Sequence, residues 1–356
     1  MPKLSLLDRY LLREATQTWL GVTAVLLGIM LSTRFAFFLG KAAKGEIPAG
    51  LLMSVVGLSS LRYLVILVPV SLLLALMVTL GRLYKDQEIA AMTGCGVGLM
   101  QLYKPFMILT VGLSLFTGAL AFEGSPWAGR TAEYAIKNAQ RLIQFTPFEP
   151  GKFKTLVGGR AVFYTSALEG ERLGEVLVVF REKDESTTLL SAPSGQQVLE
   201  NDGDRNIRLQ QGYRARGTAG RGDYEVLGFE SLSTRVSPPP FAFKFGGNRG
   251  VMPTTLLLKS PDRENQTELH WRLAAPLSVL ILGLLAVPLA HVRPRQGQYS
   301  KLIIGVGVYV VYSNLLGLGV TWINKGILPA SVGLFWVHGL FLIAALWLLR
   351  RRLQGS

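Results

Sequence analysis

The chain has 356 residues, 49% of them hydrophobic and only 17% charged, with a mean hydropathy of +0.35 and a net charge of +14. A soluble globular protein of this length carries nearer a quarter charged residues, so the composition argues against a water-soluble enzyme or binding module. Residues 124–258 hold 17 basic and 14 acidic side chains and the remainder 20 and 9; a basic excess in the most apolar part of the chain favours anionic lipid over nucleic acid as its partner.

Taken in chain order, apolar runs at about 16–38, 51–80, 99–122, 269–290, 302–323 and 331–349 predict six membrane-spanning helices, since about 20 apolar residues cross a hydrocarbon core. The first run is too long for the apolar stretch of a signal peptide and lacks a small-residue cleavage site, so it is read as a retained helix. The second is longer than a membrane requires. Arg62 within it implies that its first turns tilt or lie at the interface, and Pro69, like Pro276 and Pro288 in the fourth run, predicts a bend.

The segment between the third and fourth runs has a different character. A polar, helical lead-in from Pro126 to Leu142 precedes short apolar runs separated by turn residues. Strands are predicted at Arg160–Ser166, Glu175–Arg181, Asn206–Gln211 and Asp223–Phe229, with breaks at Glu169–Glu171, Asn201–Asp204 and Gly217–Gly222. Ile207, Leu209 and Gln211 share one face of their strand, opposite Asn206, Arg208 and Gln210, and Ile207 and Leu209 are assigned to the domain interior. Pro238 to Pro240 and Gly246, Gly247 and Gly250 mark the exit. The fold class is therefore an α-helical membrane protein with six transmembrane helices and an all-β, jellyroll-like domain. Its parts are helices one to three with a docking segment (1–123), the β domain with its lead-in (124–258), and helices four to six (259–356).

Basic residues near helix ends set the orientation. Lys3, Arg9, Arg13, Arg82, Lys85, Lys104, Arg293, Arg295, Lys301 and Arg350 to Arg352 fall on one side. The short connections of the other side carry Lys41, Lys44 and Lys325, with Arg34 just inside the first helix. Both termini are thus expected in the cytoplasm and the β domain on the far side.

The chemistry is defined largely by what is missing. No Gly-x-x-x-x-Gly-Lys-Ser/Thr loop occurs, so ATP is not held by a P-loop of this chain. The predicted spans contain no paired carboxylates of the kind a proton- or sodium-driven carrier places at mid-membrane, Glu123 lying at a helix end. Cys95 is the only cysteine, and His270, His291 and His338 lack ligand spacing, so neither a disulfide nor a metal centre is expected. The chain is read as a non-enzymatic subunit without a cofactor of its own, driven by a partner.

The connection Gly81–Gly98 is the place for that partner. Leu83, Ile89 and Met92 form the apolar side of a short helix over about 82–94, Asp86 and Glu88 project acidic charge among otherwise basic loops, and Gly94, Gly96 and Gly98 end the helix. An ordinary charged loop is the competing reading. Arg34, followed by Lys41 and Lys44, either snorkels to the interface or holds the phosphate of a lipid headgroup, for which a guanidinium is suited. Arg62 carries the same two readings. Arg221-Gly222-Asp223 is read as a turn and Asn265-Gln266-Thr267 as a chance glycosylation pattern. Gly305, Gly307, Gly317 and Gly319 allow close helix packing, within the chain or against another subunit.

The chain resembles the F-type permease family of the lipopolysaccharide-export (Lpt) ABC transporter of Gram-negative bacteria, essentially end to end. The resemblance rests on Arg9-Tyr10-Leu11 with Glu14, Gly45-Glu46-Ile47-Pro48-Ala49, Leu80 to Tyr84 with Glu88-Ile89, and Cys95-Gly96. It continues through Glu268-Leu269-His270-Trp271-Arg272, Val287-Pro288-Leu289 and His291 to Gly297, where the family's usual Asn before the Pro-Arg-Gln-Gly run is missing. The resemblance implies an inner-membrane heterodimer with a G-type permease, a dimer of a cytoplasmic ATPase that binds the ATP, a single-span subunit with its own jellyroll, and a periplasmic bridge protein. Lipopolysaccharide would enter between the permeases and be driven up into the jellyrolls. It also implies that Tyr84, Asp86, Glu88, Ile89 and Met92 dock on the ATPase, and that Arg34, Lys41, Lys44 and Arg62 face the lipid's phosphates. The rivals are a lipoprotein-releasing type of permease, which generally has four spans with its large domain after the first, and a non-transporting scaffold that recruits periplasmic proteins.

Overall fold

The computed structural model describes residues 5–44, 47–144, 150–156, 161–181, 186–199, 205–218, 222, 224–236, 248–291 and 301–354. Gly45-Glu46, the Asn201–Asp204 break, Arg221, Asp223, the Pro238 to Pro240 run and Arg293 to Gly297 lie outside them. The chain divides into a helical unit, Met1–Ala135 with Lys244–Ser356, and a β unit, Ile136–Phe243.

The helical unit begins with α1 (Leu6–Ala43). Ser5 caps it by accepting from the Asp8 N–H while the Asp8 carboxylate accepts from the Ser5 N–H, both at 3.1 Å, so two donors with no intrahelical partner are satisfied reciprocally. A 3-10 turn at Ala49–Leu51 leads into α2 (Leu52–Lys85). The short α3 (Glu88–Gly94) follows, then α4 (Leu99–Ala119), which passes through a π-helical segment at Leu120–Gly124 into α5 (Ser125–Gln144). After the β unit come a 3-10 turn at Arg249–Val251, α6 (Thr254–Lys259), α7 (Arg263–Leu289), α8 (Leu302–Asn324) and α9 (Phe335–Gln354).

Among the described residues five helices are long and apolar enough to cross a membrane: Leu6–Ala43, Ala49–Lys85, Met100–Ala139, Arg263–Leu289 and Leu302–Asn324. The sixth expected span differs. Its first residues form turns, the helix starts only at Phe335, and Arg350 ends the apolar stretch. The run from Phe335 to Leu349 is about 22 Å long at 1.5 Å per residue, short of a core of roughly 30 Å.

Helix α2 is the central post, with Leu72, Leu73, Leu76, Leu80 and Leu83 buried in one cluster with residues of α1, α4, α7 and α8. Lipid tails are as apolar as leucine, so close approach and interhelical hydrogen bonds hold such a bundle more than transfer from water does. Both occur here. A Cβ on Gly283 of α7 would fall 2.5 Å from Thr110 of α4. Ser71 of α2 receives hydrogen bonds from Trp19 (3.0 Å) and Thr23 (2.9 Å) of α1, and Ser114 of α4 donates to the Pro276 carbonyl of α7 at 2.9 Å. The Tyr312 hydroxyl of α8 joins Ser278 of α7 (2.9 Å) to His338 of α9 (2.7 Å). Of the four α8 glycines, Gly305 packs on Met77 and Gly319 on Leu334, while Gly307 and Gly317 face open space.

Among the described residues the β unit is one antiparallel sheet of nine strands. They are β1 (Lys154–Leu156), β2 (Ala161–Thr165), β3 (Leu168–Glu169), β4 (Arg172–Leu173), β5 (Val176–Arg181), β6 (Thr187–Ala192), β7 (Ser194–Leu199), β8 (Arg205–Gly217) and β9 (Glu225–Val236). They run in the order β1-β2-β5-β6-β8-β7-β4-β3, and β9 pairs along the other edge of β8. The two-residue strands β3 and β4 close a tight turn on Gly170, whose φ of +62° suits glycine. Phe163 of β2, Leu173 of β4, Val178 of β5, Leu190 of β6 and Ile207 and Leu209 of β8 share one buried cluster. Strands near opposite ends of the order thus meet inside, which requires the sheet to curl on itself.

Four strands lie where apolar alternation predicts them, with β8 and β9 extending well beyond their expected ends. Arg208 and Gln210 are exposed opposite Ile207 and Leu209, whereas Gln211 leaves the inner face. It has φ +51° at the point where β8 stops pairing with β7 and starts pairing with β6, so the alternation resets there.

Candidate functional site

The segment expected as one short helix over about 82–94 is divided. Arg82 to Lys85 complete α2, the chain turns at Asp86 and Gln87, and Gln87 takes a left-handed φ of +58° that starts α3 in a new direction. Leu83 is therefore buried by α2, and Ile89 alone of α3 is buried, with Met92 half-buried beside it against the helical core. Tyr84 meets His291 edge to face at 5.1 Å. Asp86 and the Ala90, Ala91 and Thr93 positions are exposed. Glu88 is engaged: its Oε2 accepts from the Tyr10 hydroxyl at 2.8 Å, that hydroxyl accepts from Arg82 at 3.3 Å, and Arg82 pairs with Glu14 at 3.1 Å. The acidic residue at the head of α3 is thus shared between α1 and α2.

The four basic residues sit toward the opposite ends of α1 and α2. The Arg34 guanidinium lies over the Tyr63 ring at 5.3 Å, and Lys41 over Phe37 at 5.0 Å; both positions suit a cation on an aromatic face. Arg34 and Lys41 are seven residues apart, so they share one face of α1. Lys44 is exposed at the end of that helix. Arg62 turns away from Tyr63 and lies against Gly250 and Gly129, where added Cβ atoms would fall 3.2 and 3.6 Å from it.

Arg62 rims a cleft of about 590 Å³ with Asn248, Arg249, Glu264, Trp271 and Asn324. Trp271 also borders an apolar slot of about 110 Å³ between α2, α7 and α8, lined by Val65, Ile66, Pro69, Ala275 and Leu316. The two spaces follow one helical surface: Val65, Ile66 and Pro69 succeed Arg62 by one to two turns of α2, and Ala275 succeeds Trp271 by one turn of α7. The result is a polar, partly basic mouth above an apolar floor.

The mouth is built by residues whose chemistry the sequence does not single out. Arg272 is buried, with Nε on Glu268 at 3.0 Å, Nη1 on the Thr254 hydroxyl at 2.7 Å and Nη2 on the Met252 carbonyl at 2.8 Å. Thr254 in turn donates to the Phe122 carbonyl of the π-helical segment at 2.5 Å. Arg249 pairs with Asp262 at 3.2 Å and Glu264 at 2.9 Å. The signal available beforehand was Glu268 and Arg272 four residues apart in an apolar helix, a spacing that faces the two side chains together. In the β unit, Ile207 and Leu209 are fully buried. No group of three or more His, Cys, Asp or Glu able to hold a metal occurs among the described residues.

A bundle of long apolar helices with an amphiphilic cleft, interrupted by a curled antiparallel β unit, has the make-up of a multi-pass membrane protein. The chain belongs to the lipopolysaccharide export system permease LptF/LptG family, whose match covers residues 9–351. It is 29% identical over 306 residues to the lipopolysaccharide export system permease protein LptF of Escherichia coli strain K12, an alignment covering 85% of this chain and 83% of that protein. The LptF of Shigella flexneri is similar to the same extent.

Proposed function

We propose that this chain is the F-type permease of a lipopolysaccharide exporter, a non-catalytic subunit that moves the lipid using ATP hydrolysed by a partner. The observation that carries the reading is the amphiphilic groove along α2, α7 and α8, with Arg62 at its mouth, Arg249 beside it held by Asp262 and Glu264, and an apolar slot beneath. A phosphorylated, multiply acylated lipid has the complementary profile: phosphates for guanidinium groups, acyl chains for the slot. Arg34, Lys41 and Lys44 extend the basic surface along α1.

In this reading six helices cross the inner membrane, α9 completing its span with flanking residues, and both termini are cytoplasmic. Residues 124–258 form the periplasmic jellyroll with its lead-in. The partners are a G-type permease across the cavity, a cytoplasmic ATPase dimer on α3, a single-span jellyroll subunit and a periplasmic bridge protein. Tyr84, Asp86, Glu88, Ile89 and Met92 mark the ATPase-docking corner. The ATP belongs to the ATPase, and the permease needs no cofactor. Among the described residues strand β9 is paired by β8 alone, and its other edge offers backbone donors and acceptors for a neighbouring β domain. Five long apolar helices with the β unit after the third do not fit the four-span plan of a lipoprotein-releasing permease.

The test is lipid retention by the purified complex. Mass spectrometry of the native complex is expected to find bound lipopolysaccharide, and Arg62→Glu and Arg34→Glu should each lower its occupancy. Retention unchanged in both variants, or a complex that carries only bulk phospholipid, overturns the assignment of this groove.

A further inference from the structure

We propose that Tyr63 is a positioning residue for lipid phosphate: its ring holds the Arg34 guanidinium in place while leaving the N–H donors and the charge of that group for an anion. The inference rests on the reading of Arg34 as a phosphate ligand and names the residue that makes it one.

What each arginine of the helical unit rests on carries the argument. Arg82, Arg249 and Arg272 are paired with carboxylates, those of Glu14, Glu264 and Glu268. A carboxylate neutralises its cation and takes up donors, so these three arginines join elements of the fold. Arg34 has no carboxylate partner among the described residues and lies over the Tyr63 ring at 5.3 Å. An aromatic ring attracts a cation through its quadrupole and does not cancel the charge. The contact also spends none of the five guanidinium N–H groups in a conventional hydrogen bond, and none of them donates to another described residue. Arg34 is thus fixed in position, still carries its full charge, and keeps the fork of donors that binds phosphate bidentately.

The placement separates this role from snorkelling. Arg34 stands nine residues, about 14 Å, before the end of α1 at Ala43, and Tyr63 eleven residues, about 17 Å, after the start of α2 at Leu52. The two meet at one level, inside the ends of both helices. A snorkelling arginine runs along its own helix toward the interface, whereas Arg34 reaches sideways to α2. Lys41, by contrast, lies over Phe37 of its own helix, so the packing of α1 on α2 does not fix it. The Tyr63 hydroxyl has no partner among the described residues, which leaves the ring as the part of the side chain that the position uses.

The experiment measures binding of lipopolysaccharide, and of the same lipid with its phosphates removed, to the purified exporter complex in detergent. Tyr63→Leu and Tyr63→Met keep an apolar side chain between the helices and remove the ring. Each should weaken binding of the phosphorylated lipid by about two- to fivefold, the worth of a half-exposed cation–π contact, and leave the dephosphorylated lipid unaffected. Tyr63→Phe should bind like the parent chain. In an Arg34→Ala background Tyr63→Leu should add nothing, since its effect passes through the guanidinium. A merely structural Tyr63 would weaken both lipids alike, or weaken binding further in the Arg34→Ala background; either result overturns the proposal. Undiminished binding by Tyr63→Leu and Tyr63→Met, with a loss in Arg34→Ala, strikes Tyr63 and spares Arg34. Normal binding of phosphorylated lipid by Arg34→Ala removes the phosphate reading of Arg34 itself, and the proposal falls with it.

Discussion

Replacing Arg272 by alanine removes a buried charge that ties α7 to the segment returning from the β unit. The guanidinium is 3% exposed and holds Glu268, Thr254 and the Met252 carbonyl. Glu268 keeps some access to water, its side chain being 18% exposed, so its loss of a partner falls short of the cost of a fully buried orphan. Removing one member of a buried pair typically costs about 3–5 kcal/mol, and the partial access of Glu268 argues for the lower end. The Thr254 hydroxyl keeps its Phe122 acceptor, but the Met252 carbonyl, which accepts from Arg272 at 2.8 Å, loses a donor at about 1 kcal/mol when it stays dry. Together these place the loss near 4 kcal/mol, or about 10 °C in the midpoint of a unit of this size. Size-exclusion of heated, detergent-solubilised protein measures that midpoint. The double variant Arg272→Met, Glu268→Met should recover most of the loss, since an apolar pair of similar volume replaces a buried ion pair at little cost. A fall below about 1 kcal/mol for Arg272→Ala, or a double variant no better than the single one, would refute the assignment of Arg272 as the clamp of the α6–α7 corner.

Two further perturbations probe the packing and the conduit. Gly283→Ala drives a methyl group into Thr110, a small-to-large change expected to cost about 1–3 kcal/mol; adding Thr110→Ala should restore the melting midpoint, and its failure to do so would show that α4 and α7 are not held by this contact. A photo-crosslinker in place of Leu209, which faces the β-unit core, should capture lipopolysaccharide during ATP turnover in the assembled exporter. No adduct there, with an adduct at Arg62, would make the β unit a support for the bridge rather than part of the path.

The long helices were legible from the chain alone because insertion into hydrocarbon is a local property: about twenty apolar residues satisfy their own backbone and need no neighbour to announce themselves. The run at 331–349 was misjudged at its start, since Val332 and Leu334 are apolar enough to join it while the left-handed Gly333 (φ +51°) shapes a turn before Phe335. Strands β2, β5, β8 and β9 showed through period-two alternation. Strand β6 did not: its inward residues, Thr188, Leu190 and Ala192, alternate with Thr187, Leu189 and Ser191, so both faces read alike until the curled sheet buries one of them. The acidic pair Asp86 and Glu88 was visible among basic loops, but the partners of Glu88 were not, because Tyr10 and Arg82 lie 78 and 6 residues away and meet it only when α1, α2 and α3 converge. Sequence alone decided which segments are long and apolar enough to cross a membrane, the last run excepted, and where basic charge accumulates, since both follow from short stretches of chain. The buried Arg272 clamp, the amphiphilic groove and the Tyr10–Glu88–Arg82 network belong to the tertiary structure, because each is an electrostatic or steric match between elements that only packing brings within a few ångströms.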